Sequence, residues 1–292
     1  MITIFTPAYN RAHLLPRLYQ SLCRQTKKNF EWLIVDDGST DNTESVCRQF
    51  MGEGFPVRYF HKENGGKQRA INYAVARAEG EWFIILDSDD YLTDNAIELV
   101  LPHLASIADK PDFAGVMGLK QNINGGISGG ERRYEVLDTD MLSFRTKHGY
   151  RAESTELMRT SVMREFPFPE FEGEKFVQEA VVWNRIARRY KCRYINEVLQ
   201  IIEYQPEGLS NSADELMRRN PCGALLYYRE AFTYGNTLPY RYWALGEYWL
   251  CYSYCKRRDE EPFCPTSTMR LLRPLAYTYR AVRDIRRRLK AT

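Results

Sequence analysis

An α/β fold on a mostly parallel sheet is predicted by two observations over the first hundred residues. Short β-rich apolar runs alternate with stretches of helical spacing, and the runs end in clusters of aspartate, asparagine, serine and glycine. Ile2 to Thr6 is the first run, after which Leu14, Leu15, Leu18 and Leu22 recur at helical spacing with Pro16 tolerable only in a first turn. Phe30 to Val35 is the second, ending in Asp36-Asp37-Gly38-Ser39; a helix then opens at Asp41, which with Glu44 three residues on resembles a capping box. Val57 to Phe60 is a third strand, Lys67 to Ala78 a third helix, and Trp82 to Leu86 a fourth strand after Gly80. This βαβαβαβ rhythm requires parallel strands with helical crossovers. Ligands of such sheets bind beyond the carboxyl ends of the strands, so the loops after strands one, two and four are expected on one rim.

After about residue 110 the pattern turns to hairpin signals at Asn122 to Gly130, mixed strands and a helix from about Phe176 to Arg189; the last 75 residues are mainly helical, with a boundary at Asn211 to Asp214. The expected division is therefore 1–212, in two halves meeting at 105/106, followed by a helical region 213–292.

With 44% hydrophobic and 27% charged residues the chain can bury a core without staples, and 20 Tyr, 14 Phe and 5 Trp with no low-complexity tract argue against disorder. Its longest apolar runs fall far short of the roughly 20 residues of a membrane-spanning helix, and no leader pattern stands at the start, so a cytoplasmic protein is expected. The seven scattered cysteines suit reduced thiols, and Cys251, Cys255 and Cys264 lack both a CxxC and any histidine beyond His148 for a zinc site. Net charge is +3, but residues 266–292 alone carry +7 and the rest sums to −4. An anionic partner is thus implied for the tail and not for the whole chain, which makes nucleic acid an improbable general ligand.

Three strand ends carry the chemistry: Thr6-Pro7-Ala8-Tyr9-Asn10-Arg11, Asp36-Asp37-Gly38-Ser39 and Asp87-Ser88-Asp89-Asp90. A fourth segment, Asn64-Gly65-Gly66-Lys67-Gln68-Arg69-Ala70-Ile71-Asn72, sets two glycines before a helix, where backbone amides and Lys67 can face an anion. In this combination and order the chain resembles the family 2 glycosyltransferases, closely over residues 1–105 and more loosely over 150–205. The resemblance implies a GT-A fold, Rossmann-like with helices on both faces of the sheet, and an inverting transfer from a nucleotide-diphospho-sugar, a UDP-sugar above all. On this reading 1–105 is the nucleotide-binding half, 106–212 the acceptor-side half and 213–292 a C-terminal helical appendage.

The resemblance also distributes roles. Asp87 and Asp89 form the DxD pair, with Asp89 the preferred ligand of Mn2+ or Mg2+, Asp87 a ribose or metal partner and Ser88 between them; a hard cation on carboxylates can bridge diphosphate oxygens. Asp37 matches the position that holds the nucleobase, Tyr9 stacks on the base, Pro7 shapes the loop, and Thr6 and Ser88 are placed among the nucleotide-sugar-binding residues. Arg11 lies either toward the diphosphate or in solvent. The segment with Lys67 resembles the family's Asn-x-Gly-x-x-x-Ala-x-Asn stretch, which borders the nucleotide. For the general base, Gln178-Glu179 aligns with an acid pair that is commonly Glu-Asp, so Glu179 is the candidate, with Glu172 or Glu174 as substitutes.

A processive polysaccharide synthase is expected to carry Gln-x-x-Arg-Trp and membrane spans, and neither is present, which favours one sugar per encounter. The resemblance further implies a carbohydrate or lipid-linked carbohydrate acceptor, in cell-surface polysaccharide or glycolipid assembly. A nucleotidyltransferase would need a Gly-rich basic loop after the first strand, where Thr6 to Arg11 stands instead; a membrane- or RNA-binding module with a degenerate site is countered by the intact Asp87, Asp89 and Glu179. In the tail, Leu272, Leu275, Tyr279, Val282, Ile285 and Leu289 form an apolar stripe beside Arg273, Arg280, Arg283, Arg287 and Lys290. Such a helix over 270–290 either lies on an anionic membrane surface, making the protein peripheral, or packs on its own domain or on a second subunit in a homodimer.

Overall fold

The computed structural model describes residues 1–50, 54–150, 153–203, 213–279 and 281–282. Its chain divides into two compact units: Met1–Phe168 with Arg185–Gly208, and Pro169–Asn184 with Leu209–Thr292. The predicted boundary at Asn211 to Asp214 falls largely outside the described residues.

The first unit begins with β1 (Ile2–Ala8), α1 (Leu15–Arg24), β2 (Phe30–Asp36), α2 (Thr43–Gln49), β3 (Val57–His61), α3 (Lys67–Arg77) and β4 (Trp82–Ile85). β1 pairs in parallel with β2 and with β4, and β2 in parallel with β3, as the alternating pattern requires, and the order across the sheet is 3-2-1-4. β2 is buried at every position, which is why it reads as a continuous apolar run and not an alternating one. α1 starts with Pro16 in its first turn, where no amide partner is lost, and buries Leu15, Leu18 and Leu22.

Beyond β4 the sheet becomes mixed. The elements that follow are β5 (Tyr91–Leu92), α4 (Ala96–Ile107), β6 (Phe113–Asn122), β7 (Val136–Thr139), α5 (Met141–Thr146), β8 (Ser154–Arg159), α6 (Thr160–Glu165) and, past the start of the second unit, β9 (Lys191–Ile202). β8 lies antiparallel between β4 and β6, and β9 joins β6 in parallel, extending one nine-stranded sheet. Two backbones come very close at β6 and β8: a β-carbon on Gly115 would stand 2.0 Å from the Leu157 carbonyl oxygen. The core under this sheet gathers Ile4, Leu18, Trp32, Ile34, Ile84, Val100 and Leu157.

The second unit is helical. The helix α7 (Ala180–Ala187) is shorter than the predicted span from Phe176 to Arg189 and runs from the second unit into the first; α8 (Ala213–Arg219), α9 (Pro221–Tyr234), α10 (Leu238–Tyr252) and α11 (Ser267–Leu271) follow. Leu225, Tyr228, Leu245, Tyr248 and Phe263 build its own core. Among the described residues no helix is long and apolar enough to cross a membrane.

Because the added methyl of Gly115→Ala can only be relieved by moving the β6 or β8 backbone, that substitution is expected to destabilise the protein by about 2–3 kcal/mol. Urea unfolding followed by circular dichroism checks it; Gly126→Ala, with open space around it, is the control expected to be near neutral.

Candidate active site

The loop after β1 is sewn to the loop after β2. Asn10, in the left-handed region at φ +55°, accepts on its side-chain oxygen from the Thr40 amide at 2.8 Å and the Asp41 amide at 3.3 Å, while its own amide donates to Ser39 Oγ at 2.8 Å. The Arg11 amide donates to Thr43 Oγ1 at 3.0 Å and the Ala12 amide to Asp41 Oδ2 at 3.2 Å. Asp41 therefore does not make the predicted capping box: its other oxygen accepts from the Thr43 amide at 2.9 Å, and α2 begins at Thr43 with no side-chain cap on Asn42. Tyr9 stands at the tip of β1 with 48% of its surface exposed, and Pro7 is in register with Val35. Thr6 is different. It is fully buried, its Oγ1 accepting from Trp32 Nε1 at 3.0 Å, so its side chain belongs to the core and not to the rim.

At the end of β2 the two aspartates have distinct partners. Asp36 takes the Ser39 amide at 2.7 Å and the Tyr59 hydroxyl at 2.7 Å, which fixes the turn. Asp37, also buried, reaches the loop before α3: Oδ1 accepts from the Gly65 amide at 2.9 Å and Lys62 Nζ at 2.5 Å, and Oδ2 from the Gly66 amide at 2.7 Å. The two glycine amides, expected to face an anion, thus face the Asp37 carboxylate. Gly38 between these loops has φ +83°, and a β-carbon there would stand 2.7 Å from the Asn64 amide nitrogen, so the close approach requires glycine.

α3 starts immediately after these amides and delivers Lys67 to the end of β4, where Nζ lies 2.7 Å from Asp87 Oδ1 and 2.8 Å from Oδ2. Burial works to raise the Asp87 pKa, but the charges of Lys67, Lys120 and Arg11 outweigh it and hold the carboxyl below its usual range. Asp89 is the opposite case: burial and the neighbouring Asp87 charge push it up. Among the described residues no lysine, arginine or histidine forms an ion pair with Asp89. Its backbone carbonyl, by contrast, is held by Arg17 Nη2 at 2.6 Å, and Arg17 also pairs with Glu203 and lies 5.0 Å over the Tyr91 ring. Ser88 is buried between the two acids.

The third acid, Asp90, is held from the neighbouring strands. Gln200 on β9 donates from Nε2 to Asp90 Oδ2 at 2.6 Å, and Thr155 on β8 donates to Gln200 Oε1 at 3.2 Å. Burial pushes the Asp90 carboxyl up to about 7, with Lys120 opposing and Asp87 and Asp89 adding to the rise. Lys120, in register with Gln200 across β6 and β9, is itself nearly buried; desolvation disfavours its charge, but Glu156, Asp90, Asp87 and Glu153 keep it cationic. Sequence reading passed over Lys120, Thr155 and Gln200 because they sit in strands far from the motifs. The available signal was a single lysine closing the apolar run Phe113 to Leu119 and a single glutamine inside Val198 to Ile202.

One rim therefore carries Tyr9, Asp37, Lys67, Asp87, Ser88 and Asp89, with Asp90, Lys120 and Gln200 joining them. In the second unit, Glu179 precedes α7 and is half-buried, its carbonyl accepting from the Val182 amide at 3.0 Å. Glu174 is excluded as a substitute base: it is buried and its carboxylate binds the Cys222 and Gly223 amides at 2.7 and 2.9 Å, capping α9. Glu172 is exposed.

The family model described as Glycosyl transferase family 2 matches residues 3–166. Glycosyltransferase GlyG of Streptococcus pneumoniae serotype 4 is 40% identical over 99 residues, 34% of this chain and 33% of that protein. Chondroitin synthase of Pasteurella multocida is 40% identical over 124 residues, 42% of this chain and 12% of that protein. The similarity thus spans a third or less of these relatives' length. Among solved structures, Staphylococcus aureus TarS 1–349 in complex with UDP-GlcNAc matches with a TM-score of 0.64 at 20% identity, over 96% of this chain and 87% of that one. Mannosyltransferase PcManGT from Pyrobaculum calidifontis, in complex with GDP-Man and Mn2+, matches with a TM-score of 0.53 at 16% identity, over 95% and 79%. At such identities the likeness is one of fold, and the fold is GT-A.

The raised Asp90 pKa has a signed consequence for stability. A carboxyl titrating near 7 when folded and near 3.8 when unfolded stabilises the fold fully below the lower value and loses that contribution as pH rises through the upper one. In metal-free protein the difference in Tm, Asp90→Asn minus wild type, is expected to become more positive from pH 5 to pH 8. Calorimetric melts in chelator across that range check this, and a difference constant with pH contradicts it.

Proposed function

The chain belongs to glycosyl transferase family 2, and from that premise we propose that it transfers one sugar, with inversion, from a UDP-sugar to a hydroxyl of a carbohydrate or lipid-linked carbohydrate. The observation that carries this reading is the electrostatic asymmetry at the end of β4, where Asp87 is neutralised by Lys67 while Asp89, two residues on, has no cationic partner among the described residues.

That asymmetry fits a divalent cation. No group of three metal-ligating side chains occurs among the described residues, so the protein would supply one or two carboxylate oxygens, Asp89 first and Asp87 second. This is how Mg2+ and Mn2+ commonly bind beside nucleotide phosphates, with phosphate oxygens and water completing the set. When bound, such an ion neutralises the charge that develops on a departing diphosphate.

The chain's own residues would do the rest. Of the four lone-pair positions of Asp37, three accept from Gly65, Gly66 and Lys62; the remaining one on Oδ2 can accept from an N–H on a base edge. Tyr9 offers its exposed ring to the face of the same base, in the manner of aromatic stacking. Lys67, Lys120 and Arg11 supply positive potential where the diphosphate would lie, and Ser88, between the two acids, would border the nucleotide-sugar. Glu179, aligned with the family's acid pair, would take the proton from the acceptor hydroxyl, on the side of the anomeric carbon away from the leaving group. The reaction is expected in the cytoplasm, in assembly of a surface polysaccharide or glycolipid.

Isothermal titration with UDP and UDP-sugars, with Mn2+ or with chelator, tests the donor side. Metal-dependent binding that Asp89→Ala abolishes is expected; binding of no nucleoside diphosphate under either condition overturns the reading. For the acceptor side, Glu179→Gln is expected to lower kcat by about 10²- to 10⁴-fold with UDP affinity unchanged, and near-normal turnover in that variant moves the base elsewhere.

A further inference from the structure

The helix that begins at α11 has two apolar faces, and only one of them is used. Helical backbone continues through 273–279, with the Leu272 amide bonded to the Thr268 carbonyl at 3.0 Å and the Ala276 amide to the Leu272 carbonyl at 3.1 Å. Met269 and Ala276 are buried in the core of the second unit, Leu272 packs partly against it, and the Arg273 guanidinium lies 4.5 Å over the Trp249 ring. Packing on its own unit, one of the roles the sequence left open, is thus met by this face.

Another face remains. Leu271 is 79% exposed, Leu275 52%, Val282 46% and Tyr279 37%, and at helical spacing the four fall within roughly 80° of arc, on the side away from Met269 and Ala276. Arg270, next to Leu271 in the chain, is exposed, whereas Arg273 belongs to the packed side over Trp249. Over residues 266–292 eight Lys or Arg stand against the single acid Asp284; the part of this stretch beyond Val282, with Ile285, Leu289 and most of the arginines, lies outside the described residues, as does Arg280.

We propose that the face formed by Leu271, Leu275, Tyr279 and Val282 docks on an anionic lipid surface. Charge selects this occupant. A second copy of the chain would bring one +7 segment against another, which is repulsive at close range, whereas aliphatic and aromatic side chains flanked by arginine match a bilayer whose headgroups are negative and whose interior is apolar. Long arginine stems let the guanidinium groups reach the phosphates while the leucines enter the acyl boundary. Docking is at the surface, no described helix being able to span, and it is independent of the donor reading.

The test is co-sedimentation of the full chain with large unilamellar vesicles of phosphatidylcholine alone or with about a third phosphatidylserine, at low and at elevated salt. Binding is expected to the anionic vesicles only and to weaken about tenfold as salt rises past physiological strength. The double variant Leu271→Glu with Leu275→Glu, whose exposed positions leave the thermal melt unchanged, is expected to lose it. No binding to anionic vesicles, equal binding to neutral ones, or full binding by the double variant overturns the proposal. So does self-association, seen by light scattering in lipid-free solution, that the double variant abolishes.

Discussion

The Asp37 carboxylate is the interaction on which the rim depends. It stands at the end of β2 and takes hold of the Gly65 and Gly66 amides, the last two before α3 begins. A carboxylate at a helix N-terminus is favoured both by the orphan amides and by the helix dipole. Here the consequence is positional: α3 is anchored at its first turn, and Lys67, the first residue of that turn, is brought to Asp87 on the neighbouring end of β4. Three strands that are parallel in the sheet are thereby tied together across their carboxyl ends by side chains and not only by the ladder.

Charge balance then differs from one acid to the next. Asp36 is spent on a turn, Asp37 on amides and Lys62, Asp87 on Lys67, and Asp90 on the Gln200 amide. Asp89 and Asp90 both have raised pKa values, but Asp90 is held by Gln200, whereas Asp89 has no ionic partner among the described residues. On the reading proposed above, a cation beside the half-buried Asp89 would offset its uncompensated charge.

Much of this was legible in the sequence because local patterns and fold logic agree. The alternation of β-rich runs with helical spacing implies parallel strands with helical crossovers, and the end-of-strand rule puts Asp37 and Asp87 to Asp90 on one edge. What was not legible depends on side-chain direction. Thr6 was expected at the nucleotide-sugar site, but β1 runs on to Ala8 and its hydroxyl is turned toward Trp32. Asp41 and Glu44 matched a capping box, yet Asp41 serves the Ala12 and Thr43 amides instead. Lys120 and Gln200 carry no motif, and only the later, mixed part of the sheet, whose pairing no local pattern encodes, brings them to Asp90. The apolar stripe of the tail was visible, whereas which of its faces is packed was not.

Amide exchange over residues 62–70, read by mass spectrometry in wild type and in Asp37→Ala, tests most directly whether this carboxylate organises the rim. If it does, exchange at Gly65, Gly66 and the first turn of α3 accelerates in the variant while β1 and β4 stay as protected as in wild type. Equal protection of residues 62–70 in the two proteins would contradict the account, because the loop would then hold its place without the carboxylate.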